Sequence, residues 1–185
     1  VAGYEQDGFS PPYPLSVTIA ALFYLLLGLW ALNRFLQTFG VRPWLRAVVL
    51  PALLFGTNLF YYTVSEPSMT HVYSFGLISM FVLLMRRYFL KPCGRDLLWA
   101  GLVGGMILLI RPMNVLVVLS APIVAADAGR FFAGLRAAFK TWPYLLGALL
   151  LAGASLSIQS WIYYFSTGYF WVYSYGKESF DFLHP

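Results

Sequence analysis

The sequence predicts an all-α, polytopic transmembrane bundle of about six membrane helices, one pair forming a short hairpin, in a single domain over residues 1–185. Two observations carry this. Only 10% of the residues are charged and 60% are hydrophobic, with a mean hydropathy of +0.72. A soluble domain needs about 25% charged residues to wet its surface, so the solvent of this chain is largely lipid. The second observation is placement: basic residues sit in short loops between apolar runs, on alternate sides.

A helix crossing the hydrocarbon core needs about 20 apolar residues. The first candidate span runs from Pro14 to about Phe35, the second from about Trp44 to Val64 and the third from about His71 to Met85. The next apolar stretch is interrupted. Leu97–Ile110 is short, Arg111-Pro112-Met113-Asn114 follows, and Val115–Ala126 is a second short run. The last span runs from about Pro143 to Phe165.

Loop charges orient these elements. Arg34, Arg42 and Arg46 surround the first connection; Arg86, Arg87, Lys91 and Arg95 fill the third; Arg130, Arg136 and Lys140 precede the last span. Of the 12 basic residues only Arg111 and Lys177 fall on the opposite side. The positive-inside rule makes the crowded side cytoplasmic, provided that Leu97–Ile110 and Val115–Ala126 form a hairpin with Arg111 at its outer turn. The carboxylates divide the other way. Glu5, Asp7, Glu66, Glu178 and Asp181 fall outside, and only Asp96 and Asp127 inside.

Residues Gly129 to Trp142 read as an amphipathic helix on the inner membrane surface, with Phe131, Phe132, Leu135 and Phe139 at helical spacing among Arg130, Arg136 and Lys140. Its role is either a membrane-surface connector or a partner-binding segment. Gly101, Gly104 and Gly105, and likewise Ser74 and Gly76, mark expected packing seams, because small residues let membrane helices approach closely.

The remaining features exclude more than they assign. The net charge of +5 is dispersed over loops and does not form a nucleic-acid footprint. Cys93 is the only cysteine, which rules out an intrachain disulfide framework. The chain begins Val1-Ala2-Gly3-Tyr4, without an initiator Met or a basic leader, and stops at His184-Pro185; it is expected to be an internal piece of a longer protein. The order of residues fits neither a Ser/His/Asp triad nor a phosphate-cradling glycine loop, nor a His-Glu-x-x-His helix. The apolar runs hold no carboxylate, which argues against a proton-coupled transporter with a midplane site.

Candidate chemistry gathers on the outer side. Glu66 lies in Val64-Ser65-Glu66-Pro67-Ser68-Met69-Thr70-His71, a short loop feeding the third span. Two readings stay open: a carboxylate capping the following helix, or one held at the membrane boundary for a metal, a sugar hydroxyl or a catalytic proton. His71, five residues on, could join Glu66 in part of a divalent-metal site only if the loop bends, since on a regular helix the two would not share a face. Arg111 either snorkels to outer headgroups or faces a water-filled cavity, where its planar fork suits the phosphate of a lipid-linked substrate. Asn114 adds a polar amide on the same turn. Asp7, in the turn-rich loop Glu5 to Tyr13, and Lys177, after the aromatic run Tyr169 to Tyr175, complete the candidate substrate-binding set.

Several of these segments, in this order, resemble a known family. They are Asp7-Gly8-Phe9-Ser10-Pro11-Pro12-Tyr13, Gly56-Thr57-Asn58-Leu59-Phe60-Tyr61-Tyr62-Thr63, Glu66-Pro67-Ser68-Met69-Thr70-His71, Gly101 to Asn114 with its glycine-rich half-helix before Arg111-Pro112-Met113-Asn114, and Tyr173-Ser174-Tyr175-Gly176. Together they are similar to multi-span bacterial glycosyltransferases of the GT-C superfamily, relatives of protein O-mannosyltransferases and aminoarabinose transferases. The resemblance implies an inner-membrane enzyme that takes a sugar from a polyprenyl-phosphate carrier at the periplasmic face, with both ends of this chain on that side. It also implies an inverting displacement, an aspartate base in a first outer loop and often a divalent metal. Glu66 would match the acidic position of a later outer loop, and Arg111 a lipid-phosphate contact. The loop carrying the aspartate is not in this sequence, and Asp7 lies too close to the following span to replace it, so this piece alone is expected to be inactive. The implied partners are the lipid-linked sugar donor, membrane lipids and the rest of the same polypeptide, with no nucleic acid. A polytopic transporter or flippase for lipid-linked glycans, and a non-catalytic membrane subunit, are the alternatives.

Overall fold

The structure is a computed structural model that describes Gly3 and residues 9–172. Their secondary structure is entirely helical, without a strand. Helix α1 spans Pro12–Gln37, α2 Pro43–Gly56, α3 Leu59–Val64, α4 Thr70–Leu90 and α5 Gly94–Ile110. A 3₁₀ segment, Pro112–Ser120, leads into α6 (Ala121–Ala125), followed by α7 (Ala128–Lys140) and α8 (Trp142–Thr167). Three of them, α1, α4 and α8, are long and apolar enough to cross a membrane, whereas α2 and the stretch Pro112–Ala125 are shorter apolar pieces.

Helix α4 is the centre of the bundle. In the most apolar stretch of each long helix, 56% of α4 is buried, against 22% of α1 and 11% of α8. Helix α1 runs beside α4 in the same direction: the Tyr73 hydroxyl lies 3.3 Å from the Val17 carbonyl at one end, and Arg86 bonds Thr38 at the other. Between these contacts the backbones nearly touch. A Cβ added to Gly28 would stand 3.0 Å from the Gly76 Cα, and one on Gly76 would stand 2.6 Å from the Tyr24 carbonyl.

Helix α5 returns antiparallel to α4, with Arg87 paired to Asp96 at 3.2 Å near the turn. Leu77, Phe81 and Leu84 of α4 pack there against Ala100, Val103 and Ile107 of α5. Helix α8 then runs parallel to α5. Gly94 meets the Tyr144 ring, Gly101 meets the backbone of Ala148, and Gly105 meets Ala152 and Ser155. Gly101 and Gly105 are thus the small residues of one helix–helix seam. Gly104 points elsewhere, towards the Phe81 ring of α4. Ser74, read from the sequence as a packing residue, also accepts a hydrogen bond from the Asn114 amide.

The second predicted span, Trp44 to Val64, is divided at Thr57. Thr57 is extended (φ −125°, ψ 173°). Its hydroxyl donates to the Leu53 carbonyl at 2.7 Å and accepts from the Leu59 N–H at 3.2 Å. One side chain thereby satisfies the carbonyl ending α2 and the amide opening α3, which makes a break tolerable in an apolar setting.

The stretch after Arg111 does run back along α4. At one end the Asn114 amide donates to Ser74, and at the other Arg86 donates to the Val124 and Ala125 carbonyls. Twelve residue steps separate Ser74 from Arg86, but only ten separate Asn114 from Val124. At about 1.5 Å per α-helical step and about 2.0 Å per 3₁₀ step, both paths cover about 18 Å. The tighter 3₁₀ winding is what lets the shorter segment match the height of its neighbour.

Arg86 corrects a sequence-based placement. The sequence assigns it to a basic loop after a span ending near Met85, but α4 continues to Leu90 and buries Arg86 to 4% exposure. Its guanidinium also lies over the Phe39 ring, 4.2 Å from the centroid. The amphipathic segment is similarly refined. Asp127 caps α7 by accepting the Arg130 N–H at 2.9 Å. Its apolar residues then divide between two faces: Phe131, Gly134 and Ala138 pack towards Tyr88 and Phe89 of α4, whereas Phe132, Leu135 and Phe139 are exposed. At about 100° per residue, Phe131 and Phe132 cannot share a face.

Candidate functional site

The end of α4 opposite Arg86 gathers the predicted outer residues. Helix α3 is only one and a half turns long, but it is anchored: Leu59 packs with Ala21, Leu25 and Val72, and buried Thr63 bonds its own Leu59 carbonyl. That anchoring fixes two tyrosines. The Tyr61 hydroxyl donates to Oε1 of Glu66 at 3.0 Å. The Tyr62 ring stacks on His71, centroids 4.2 Å apart and planes 23° from parallel. The Tyr73 hydroxyl, two residues further along α4, donates to the Pro67 carbonyl at 2.8 Å and pins the loop between them.

Glu66 does not cap α4. That helix starts at Thr70 with Met69 at its N-cap and no side-chain cap bond. Pro67 accordingly stands in the loop and not at the first helical position. Glu66 closes a turn through its carbonyl, which accepts the Met69 N–H at 3.0 Å, while its carboxylate is occupied at one oxygen by Tyr61. The second carboxylate oxygen accepts nothing from the described residues and is free for a ligand.

Arg111 ends α5 in an extended conformation (φ −151°, ψ 116°), and Pro112 opens the 3₁₀ segment immediately after it. Its carbonyl accepts the Asn114 N–H at 2.9 Å. Asn114 then donates through its side-chain amide to the Ser74 hydroxyl at 3.0 Å. Ser74 lies one turn from His71 on α4, and residues three apart on a helix are neighbours. Two contacts, Tyr62 with His71 and Asn114 with Ser74, thus hang the Glu66 loop and the Arg111 turn on adjacent turns of one helix. The Arg111 guanidinium is exposed and forms no hydrogen bond or ion pair with the described residues.

Glu66, His71, Arg111 and Asn114 therefore share one end of the bundle, and no direct bond joins Glu66 to Arg111. Asp7 and Lys177 lie outside the described residues. The opposite end carries the cations: Arg86 ties α1, α4 and α6 together there, and Arg87, Lys91 and Arg95 surround the turn into α5. Sequence reading gave no role to Tyr61, Tyr62 or Tyr73. The tyrosine pair Tyr61-Tyr62, placed just before an acidic loop, was the available signal.

Glu66 and His71 are the donors of the expected divalent-metal site. Among the described residues no group of three or more His, Cys, Asp and Glu side chains converges. The His71 ring is stacked on Tyr62, and one Glu66 oxygen is committed to Tyr61. Among the described residues Glu66 and His71 are thus two partly committed donors, short of the three or four ligands that a bound metal needs.

Compared with known families, with curated proteins and with solved structures, the chain shows no match in any of the three. Among the described residues its fold is all-helical, with three helices long and apolar enough to span a bilayer, as in a membrane protein. One of its ends is basic, and the other presents a tyrosine-held carboxylate and an arginine without a partner among the described residues.

Proposed function

We propose that this chain is part of a GT-C-type glycosyltransferase, which moves a sugar from a polyprenyl-phosphate carrier to an acceptor at the periplasmic membrane face. In this reading the shorter apolar pieces, α2 with α3 and Pro112–Ala125, complete the spans of a six-helix region. The observation that carries it is the convergence on α4. Glu66 and Arg111 come from distant parts of the sequence, yet both are fastened to the same end of one helix, away from the basic end.

Each residue then has a task. Arg111 offers a planar fork that can take two phosphate oxygens of the donor. Glu66, held by Tyr61, presents its free oxygen to a sugar hydroxyl, and the exposed Tyr61 ring beside it offers an apolar face to the pyranose. Asn114 positions Arg111 through the Ser74 hydrogen bond. The general base for the acceptor is not assigned to any residue of this chain.

The test uses the full-length protein with a radiolabelled polyprenyl-phosphate sugar. Arg111→Gln and Glu66→Gln are each expected to lower transfer by about 10²-fold, the loss typical of removing one charge-stabilising group, while both variants stay folded. Undiminished transfer in both would defeat the site assignment. Translocation of the lipid-linked sugar across proteoliposomes without transfer would establish a flippase instead.

A further inference from the structure

We propose that the face shared by α1, α4 and α5 binds an anionic membrane lipid, with a hydrocarbon chain between the helices and the phosphate on the cations at the basic end. This is independent of the glycosyltransferase reading, because the groove ends at the opposite side of the bundle from Glu66 and Arg111.

Three concavities meet at Arg87. The first is an apolar groove of about 390 Å³ between α1, α4 and α5, lined along its length by Tyr24, Leu27, Leu77, Met80, Val103 and Met106. At its basic end it shares Leu84, Trp99 and Arg87 with a cleft of about 570 Å³ that adds Lys91 and Arg95. On its other flank it shares Trp30, Leu83 and Arg87 with a cleft of about 460 Å³ that adds Arg34. Apolar slot and charged mouth are one continuous surface.

That shape matches one chemistry. Arg34, Arg87, Lys91 and Arg95 surround the mouth, and among the described residues little neutralises them. Asp96 is bound to Arg87, and Asp127 is bound to the Arg130 N–H. Arg34 has only the Gln37 amide at 3.2 Å, while Lys91 and Arg95 are exposed without a partner among the described residues. A neighbouring apolar helix could fill the groove but would leave these charges unanswered. A phosphate diester with acyl chains answers both, as basic pockets between membrane helices do for acidic headgroups. Trp30 and Trp99, each 49% exposed, flank the mouth, and amphipathic rings of this kind anchor in lipid headgroups.

The experiment measures lipid retained by the detergent-purified chain using native mass spectrometry. Dioleoyl phosphatidylglycerol is compared with dioleoyl phosphatidylcholine, and glycerol 3-phosphate serves as the free headgroup. The chain is expected to retain phosphatidylglycerol in preference to phosphatidylcholine and to bind no glycerol 3-phosphate. The Lys91→Gln/Arg95→Gln variant, which leaves the Arg87–Asp96 pair intact, is expected to weaken phosphatidylglycerol binding by about thirtyfold, at about 1 kcal/mol for each of the two cations. Arg136→Gln/Lys140→Gln on α7 removes the same charge elsewhere and is expected to change it less than twofold. Equal retention of both lipids overturns the proposal, as does full retention by the Lys91/Arg95 variant, an equal loss in the α7 variant, or binding of glycerol 3-phosphate as tight as that of the lipid. A dimer carrying no lipid at this face would assign the groove to a second copy of the chain and overturn it too.

Discussion

Arg86 Nη1 donates to the Ala125 carbonyl at 2.8 Å and to the Val124 carbonyl at 3.0 Å. These are among the last carbonyls of α6, which have no partner inside that helix. The chain there turns through Ala126 in the left-handed region (φ 62°), an unfavourable conformation for a residue with a Cβ. A buried guanidinium satisfies the open carbonyls, favours the negative end of the helix and reaches Thr38 of α1 with its remaining N–H groups. It is therefore a clamp across three helices.

Removing that clamp should be costly. Arg86→Gln is expected to destabilise the protein by about 3 kcal/mol, because it strands carbonyls that are buried away from water and deletes several charge-assisted bonds. Arg86→Lys keeps the charge but not the fork, and should recover less than half of the loss. Arg136→Gln, on the exposed side of α7, should stay within about 0.5 kcal/mol of the parent. Unfolding in detergent by chemical denaturant measures all three.

The Asn114–Ser74 hydrogen bond should appear as an energetic coupling. Asn114→Ala and Ser74→Ala are each expected to cost about 1 kcal/mol. The double variant should fall short of their sum by about 0.5–1 kcal/mol, because the bond can be lost only once. Strict additivity in the same unfolding assay would show that the Arg111 turn is not held on α4 by this pair.

Neighbouring glycines on α5 should respond differently. A Cβ at Gly101 would collide with the Ala148 backbone, whereas one at Gly104 would meet the Phe81 ring at an ordinary 3.5 Å. Gly101→Ala is expected to cost about 1–3 kcal/mol by forcing α5 and α8 apart. Gly104→Ala should be neutral or slightly stabilising, since alanine favours the helix and fills available space. Thermal unfolding of the two variants separates these outcomes.

The two faces of α7 can be distinguished by labelling. In a Cys93→Ser background, a polarity-sensitive dye at Phe139→Cys should report lipid contact and be quenched by brominated acyl chains, because Phe139 is 71% exposed on the outward stripe. Phe131 packs against Phe89, with centroids 5.8 Å apart. Phe131→Ala should therefore destabilise the protein, by about 3 kcal/mol if its site cannot collapse. Equal lipid quenching of dyes at residues 131 and 139 would contradict this division.

By itself, the sequence determined the helical class, the approximate position of each apolar element and the reversal at Arg111. These follow from one-dimensional quantities: run length, loop charge and small-residue spacing. It also marked Gly101, Gly104 and Gly105 as seam residues, because backbone approach demands small residues wherever the partner lies; that Gly104 faces Phe81 and the other two face α8 it did not decide. What only the tertiary structure decided is the role of each polar side chain. Arg86 and Arg87 are adjacent in the same basic cluster, yet one is a buried clamp and the other is half-exposed beside an apolar groove, since successive helical residues point about 100° apart. Ser74 bonds Asn114, and Tyr61 holds Glu66, through contacts that hydropathy does not encode. The 3₁₀ winding after Arg111 likewise depends on the height of α4 beside it. Charge and hydropathy place a segment in its medium, but direction and distance between helices choose the partner of each side chain.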